Sequence, residues 1–309
     1  MGQVSDLTTG KELFTLKGHR YGVEAVAITA DGKRAISGSL DKTIKVWDLT
    51  TRKEQFTLKG HSNSVRAVAI TTDGKWVISG SPDKTIKVWD LTTRKEQFTL
   101  EGHSSEVNAV AVTADGKWVI SGSDDHTTKI WDLITGKEEF TLKNYSDAVS
   151  AVAVTADGKR VVSASNGTPN ITVWNLISRK EEFILTGHNS SVVAVAVTTD
   201  GKRAISCSDD HTTKIWDLIT GKEEFTLTGH GGDFVTSVAV AADGKRVITV
   251  SWDKNIKVWD LATRNVIASF TGEVPITCCA IAPDGVTIVA GSIGGYVDFL
   301  RLEEIETLT

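Results

Sequence analysis

The chain has 309 residues, of which 40% are hydrophobic and 24% charged, and a formal net charge of -5 at pH 7. That balance lacks the concentrated basic stripe needed to neutralise a phosphate backbone, no apolar run approaches the ~20 residues that cross a bilayer, and no charged-then-apolar leader opens the chain. Cys207, Cys278 and Cys279, the last two adjacent and on opposite faces of a predicted strand, make no disulfide framework and imply a reducing, cytoplasmic compartment.

From the N-terminus, Val4-Ser5-Asp6-Leu7-Thr8-Thr9-Gly10 parallels Val46-Trp47-Asp48-Leu49-Thr50-Thr51-Arg52. The chain therefore starts inside a repeat, and residues 1–10 read as the remnant of a preceding unit or a trimmed end. The repeat is clearest from Ser64 to Leu100. Val65–Ile70 is a short β-rich run, and Thr71-Thr72-Asp73-Gly74-Lys75 turns the chain into a second strand, Trp76–Ser79. Ser81-Pro82-Asp83-Lys84 turns it again, and Thr85–Trp89 alternates in period two. Leu91–Lys95 then leads into a fourth strand, Gln97–Leu100. No segment reads as a helix.

Two dipeptides mark the period. Trp-Asp recurs at Trp47, Trp89, Trp131, Trp216 and Trp259, with Trp174-Asn175 in the one gap, every ~42 residues. Gly-His precedes it at Gly18-His19, Gly60-His61, Gly102-His103, Gly187-His188 and Gly229-His230. Asp-Gly, which supplies the positive φ of a tight hairpin, follows the first strand at Gly32, Gly74, Gly116, Gly158, Gly201, Gly244 and Gly285. Seven hairpins imply seven four-stranded sheets. Sheets that are apolar on both faces must stack, and a radial ring buries every face.

These signatures at this spacing resemble the WD-repeat (WD-40) β-propeller family over nearly the whole chain. The resemblance implies an all-β, seven-bladed propeller of four-stranded antiparallel blades, forming a single domain over residues 1–309. It also implies a buried tetrad in each regular blade: His19, Ser37, Asp41 and Trp47; His61, Ser79, Asp83 and Trp89; His103, Ser121, Asp125 and Trp131; His188, Ser206, Asp210 and Trp216; His230, Thr249, Asp253 and Trp259. Each buried indole, imidazole and hydroxyl needs a partner, and a linked network supplies them all. A catalytic His-Ser-Asp set is needed once, whereas this one recurs five times, so it reads as structure.

Two blades depart from the pattern. In the fourth, Tyr145 stands where the His would be, and Asn166–Asn170 lacks the Asp. In the seventh, Glu273 follows Gly272 in place of His, Ala290 replaces the hydroxyl, Gly294 the Asp and Leu300 the Trp. The seventh period also holds only three strands. Glu12-Leu13-Phe14-Thr15-Leu16, matching Glu96–Leu100, is expected to supply the fourth and close the ring; the competing segment is Glu303–Leu308.

The units are near-copies: Asp41–Leu58 is identical to Asp83–Leu100, and Ser123–Leu142 to Ser208–Leu227. In this the chain is similar to recently amplified arrays appended to large bacterial signalling proteins, typically cyanobacterial, including switch NTPases and Ser/Thr kinases. Function should then sit where the copies differ. Trp252 occupies the turn before Asp253, where other units carry Leu40, Pro82, Asp124, Asp209 and Ile293, with Phe234, Pro275 and Tyr296 nearby by alignment. The rim positions of the first strands hold Glu24, Arg66, Asn108, Ser150, Val193, Thr236 and Thr277. Trp252, Phe234, Glu24, Arg66 and Asn108 are the candidate contacts for a protein or peptide partner on that face. Trp252 could equally cover the seventh blade, with Phe234 folded beneath it.

Trp76 and Trp118 open second strands toward the opposite face, where other units carry Arg34, Arg160, Arg203 and Arg246, and read as packing over the hairpin stems, the less favoured alternative being a paired-indole patch that binds a partner or a flanking domain. Asp124-Asp125-His126 and Asp209-Asp210-His211 have metal-compatible chemistry but no full ligand set. The expectation is a non-enzymatic scaffold or sensor, monomeric as an isolated domain, with no cofactor, metal, nucleic acid or membrane. The alternatives are a self-associating structural module and, less favoured, an enzyme using the central channel.

Overall fold

The computed structural model describes residues 8–143 and 147–304. Among these residues every regular element is a β-strand, and the strands form seven four-stranded antiparallel sheets. The second blade is typical, with strands Ala67–Ile70, Trp76–Gly80, Ile86–Asp90 and Lys95–Leu100. Its innermost strand starts two residues later than the sequence pattern predicts. The amides there have other partners: that of Val65 donates to the Ser39 carbonyl of the preceding blade at 2.9 Å, and that of Arg66 to Gly80 at 3.0 Å.

The outermost strand starts two residues earlier, because pairing passes from Val88–Phe98 to Trp89–Glu96 through a bulge. The same bulge recurs in the first blade, at Val46–Phe56 and Trp47–Glu54. It re-aims the outer strand as it crosses the tryptophan. The hairpin between first and second strands turns at Gly74 (φ 67°), whose amide donates to the Thr71 carbonyl at 2.8 Å. A side chain is disfavoured in that left-handed conformation, which explains the recurring glycine.

The core is a ring of layers, each shared by two successive blades. Ile36, Val46 and Leu58 of the first blade pack with Val77 and Trp89 of the second. Val289 and Phe299 of the seventh pack with Val23 and Trp47 of the first, completing the circle. Burying each such aliphatic side chain is worth about 1.5–3 kcal/mol, so no blade is stable without its neighbours. Cys278 and Cys279 fall in layers on opposite faces of their sheet.

The N-terminal strand Thr8–Lys17 closes the ring, pairing antiparallel with Tyr296–Glu304. It reproduces the outer-strand bulge between Glu12 and Phe14, so it fills the fourth position in the common register. Phe14 stacks on Phe299 with ring centroids 4.4 Å apart, and the Arg52 guanidinium lies 4.8 Å over Phe14, as Arg94 lies over Phe56 at 4.7 Å. Glu303 and Glu304 extend the third strand of this blade. The rest of the competing C-terminal segment lies outside the described residues, as do Tyr145 and residues 1–7.

In the seventh blade Ala290 and Leu300 hold the positions of the tetrad hydroxyl and tryptophan, both buried but unable to hydrogen-bond through their side chains. Hydrogen exchange should therefore find the amides of Tyr296–Leu300 less protected than those of Ile86–Asp90. Equal protection in the two blades would show that the tetrad adds nothing to local stability.

Candidate interaction surface

In each regular blade the Gly-His loop lays its imidazole over the second and third strands. Gly18 is needed there because a Cβ would come within 2.6 Å of the Trp47 ring. His19 Nδ1 lies 2.9 Å from Asp41, its Nε2 2.7 Å from Ser37 Oγ, and the Trp47 indole N–H donates to the same Oγ at 2.8 Å. The blade built on His61, Ser79, Asp83 and Trp89 repeats this at 2.8 Å throughout. His103 with Ser121, Asp125 and Trp131, and His188 with Ser206, Asp210 and Trp216, keep the same contacts. So do His230, Thr249, Asp253 and Trp259, with threonine supplying the hydroxyl.

Proton accounting assigns the roles. The indole can only donate to the hydroxyl, the hydroxyl then donates to imidazole Nε2, and Nδ1–H donates to the carboxylate. The carboxylate of Asp41 also accepts the backbone amides of Arg20 and Thr43, which pins the Gly-His loop to the turn. In the fourth blade the Trp174 indole still donates to Ser163 Oγ at 2.8 Å.

Loops entering each first strand and turns between second and third strands lie at one end of the antiparallel sheets. At that end Phe234 and Trp252 meet edge to face, ring centroids 5.9 Å apart, while 39% and 49% exposed. Phe234 is not folded beneath Trp252: its other face stacks on His211 of the fifth blade at 5.6 Å. Tyr21 and Leu40 of the first blade and Ile293 of the seventh are also exposed at this end. A Cβ on Gly22 would lie 3.2 Å from the Ile293 backbone and 3.5 Å from Leu40, so these blades adjoin. The sequence hinted at Leu40 and Ile293, which share the alignment position of Trp252, but nothing marked Tyr21.

The rim residues line the mouth of a central channel of about 200 Å³. Arg66 bonds the Asn108 amide oxygen and the Glu106 carboxylate, each at 2.6 Å, and Asn108 donates to Asp124 at 2.6 Å. Burial raises the carboxyl pKa of Glu24, opposed by the nearby Arg66 charge. Several rim side chains also reach the next inner strand. Asn108 donates to the Val149 carbonyl at 3.1 Å, Ser150 to Val192 at 2.5 Å, Thr236 to Ile276 at 2.9 Å, and Thr277 to Val23 across the closure. Part of the variety at the rim thus serves to staple blade to blade, a role invisible without the ring.

At the opposite end, Trp76 and Trp118 are half-buried against the interblade layers, each beneath the lysine before it, Lys75 at 4.7 Å and Lys117 at 4.5 Å. Arg160 and Arg203 at the matching positions pair with Glu182 and Glu224. The aspartate-histidine segments resolve into turns. His126 and His211 take the positive φ held elsewhere by Lys42, Lys84 and Lys254, and Asp125 and Asp210 bind the tetrad imidazoles. Sequence reasoning missed Ile134, Ile177 and Ile219, all exposed on the third-to-fourth-strand turns of three successive blades.

The tetrads also set a pH dependence. Burial pushes His103, His188 and His230 below the usual histidine pKa, although an aspartate opposes it in each. Burial acts to raise the Asp210 pKa, but bonds from Thr212, Asn189 and His188 hold it at about 2. Both groups are depressed in the fold, so stability is full above the unfolded values and falls as pH drops. The melting temperature should be flat between about pH 7 and 8, decline below about 6.5 as unfolded histidines take up protons, fall further below about 4 as unfolded aspartates do, and decline again above about 8.5, where the unfolded chain ionises the thiols of Cys207 and Cys279 that burial keeps protonated. A melting temperature that rises between pH 7 and pH 5 would contradict this protonation scheme.

A family model described as "WD domain, G-beta repeat" matches residues 10–48, 52–90, 94–132, 136–172, 179–217, 221–260 and 264–297. No curated protein matches the sequence. The matched segments run through all seven blades, and the chain belongs to the WD-repeat family of β-propellers.

Proposed function

We propose that the protein is a non-enzymatic scaffold or sensor module of a larger bacterial signalling protein, holding a protein or peptide partner at the ring end that carries Phe234 and Trp252. The carrying observation is that pair: two large aromatics held edge to face yet substantially exposed, with Tyr21, Leu40 and Ile293 exposed on nearby blades. Rigid aromatics lose little entropy on binding and dominate hot spots. Glu24, Arg66, Glu106, Asn108 and Asp124 make the mouth over the first three blades polar, so that end of the ring is apolar on one side and charged on the other. A partner segment with an apolar anchor flanked by charge fits this division. WD-repeat propellers commonly mediate protein–protein contact, which favours the same reading.

Several features support a non-enzymatic role. The tetrad serines are fully buried and both nitrogens of each tetrad imidazole are engaged. Burial pushes the Cys207 and Cys279 thiols up to about 12, far from nucleophilic thiolates at neutral pH. Among the described residues no helix is long and apolar enough to cross a membrane. A second reading, self-association, rests on the exposed Ile134, Ile177 and Ile219 at the other end of the ring.

The test is affinity capture from lysate of the source organism by the intact protein and by Trp252→Ala/Phe234→Ala, matched for folding. A partner retained by the intact protein, with affinity reduced about 30-fold or more in the double variant, is the expected result, that being the scale of hot-spot truncation. Equal retention by both would remove Trp252 and Phe234 from the interface. Concentration-dependent sedimentation without any captured protein would favour the self-associating module.

A further inference from the structure

The third and fifth blades carry the same turn between second and third strands, because Ser123–Leu142 and Ser208–Leu227 are identical. The first aspartate of that turn takes the place of Trp252. The Asp124 amide donates to the Glu106 carbonyl and that of Asp209 to Ser191, as the Trp252 amide donates to Phe234. The two carboxylates nevertheless have different surroundings. In the third blade the rim residue is Asn108, the extra residue of a bulge between Val107 and Ala109. Its Nδ2 donates to the Asp124 carboxylate at 2.6 Å and to the Val149 carbonyl of the next blade at 3.1 Å. A single –NH2 group, with one hydrogen for each acceptor, closes the rim there.

In the fifth blade the same bulge, between Val192 and Ala194, holds Val193, which has nothing to donate. Burial raises the Asp209 carboxyl pKa; His211 opposes this, Asp210 adds to it, and neither a hydrogen bond nor a lysine or arginine acts on the group. The Val235 carbonyl of the next blade holds the register position of Val149, paired with Ser251 as Val149 is with Ser165. Among the described residues no side chain donates to it.

The other blades do not share this state. Ser150, Thr236 and Thr277 donate from the rim to the carbonyls of Val192, Ile276 and Val23. The first two blades, with Glu24 and Arg66 at the rim, carry Leu40 and Pro82 in the turn and no carboxylate at that position. Two acceptors are thus left without a donor at one place in the ring. That place adjoins the exposed aromatics: Val235 follows Phe234, and the turn of Asp209 carries His211, whose ring stacks on Phe234 at 5.6 Å.

We propose that the Asp209 carboxylate and the Val235 carbonyl together take the guanidinium of an arginine from the partner held at the Phe234–Trp252 surface. The inference rests on that reading of the surface and names the partner's chemistry. A terminal –NH2 of the guanidinium repeats both bonds of Asn108 Nδ2, and its charge matches the unpaired carboxylate. The apolar stem of the arginine is covered by Val193 and Phe234. A planar –NH2 copies the amide of Asn108, which a tetrahedral ammonium does not. Arg66 shows that the rim accommodates a guanidinium, bonding the Asn108 oxygen and the Glu106 carboxylate.

The experiment is an NMR titration of the whole protein with Nα-benzoyl-arginine amide, with the citrulline counterpart as its uncharged isostere and the lysine counterpart as a tetrahedral cation. The arginine compound should saturate and shift the amides of Val193, Asp209–His211 and Val235. The citrulline compound should bind about tenfold or more weakly, the worth of a charge-assisted contact. Asp209→Asn should weaken the arginine compound by a similar factor. Val193→Asn copies Asn108, donates to both acceptors itself, and should remove binding from a ring that stays folded. Absence of shifts at millimolar concentration, equal binding of the citrulline or lysine compound, or indifference to both substitutions would overturn the proposal. Such a failure leaves the surface reading standing where Trp252→Ala/Phe234→Ala still loses the captured partner. Arginine binding that depends on Asp209, beside a double variant that captures normally, would instead remove the aromatic surface and keep the acceptor pair.

Discussion

The ring depends on one buried hydroxyl in each regular blade, accepting from an indole and donating to an imidazole. Removing it would strand two buried polar groups at once, each costing about 1–3 kcal/mol. The serine lies on the second strand, the tryptophan on the third, and the histidine on the loop that arrives from the preceding blade. A single atom therefore couples two strands of one sheet to the connection between sheets. The aspartate extends that coupling to the next turn, where it also caps the backbone amides of Arg20 and Thr43.

Stacking alone would leave an open array with two exposed ends. Closure comes from three devices that reuse ordinary interblade contacts: the N-terminal strand in the common bulged register, the Arg52–Phe14–Phe299 stack, and Thr277 reaching the Val23 carbonyl. The seventh blade can lack a tetrad because an apolar layer persists on each of its sides, Ile288 and Leu300 facing the sixth blade, Val289 and Phe299 the first. What it loses is local polar fastening, and a cleft of about 580 Å³ beside Leu300 occupies the space so freed.

The strands, the blade count, the tetrad positions and the closing strand were legible because each is written several times in a near-copied sequence. Repetition turned weak local signals into a period. Two strand boundaries in the second blade were misplaced: the Val65 amide bonds a neighbouring blade, and a bulge shifts the outer strand, and neither contact is local in sequence. The candidate surface was only half legible. Trp252 stood out as a unique aromatic in a copied turn, and alignment set Phe234 close by. The stack on His211 crosses from one repeat to the next, and the bond between Arg66 and Asn108 does the same. The cleft escaped because it is defined by missing side chains, which a motif search reports only as a failed match.

The most direct test of the coupling role is indole N–H exchange in protein labelled with ¹⁵N-tryptophan. Trp47, Trp89, Trp131, Trp174, Trp216 and Trp259 donate to buried hydroxyls at 2.8 Å, while the indole N–H groups of Trp76, Trp118 and Trp252 meet no acceptor among the described residues. The account predicts six slowly exchanging indole protons and three fast ones. Framework indoles exchanging as fast as Trp252 would show that the buried hydroxyls do not hold the blades.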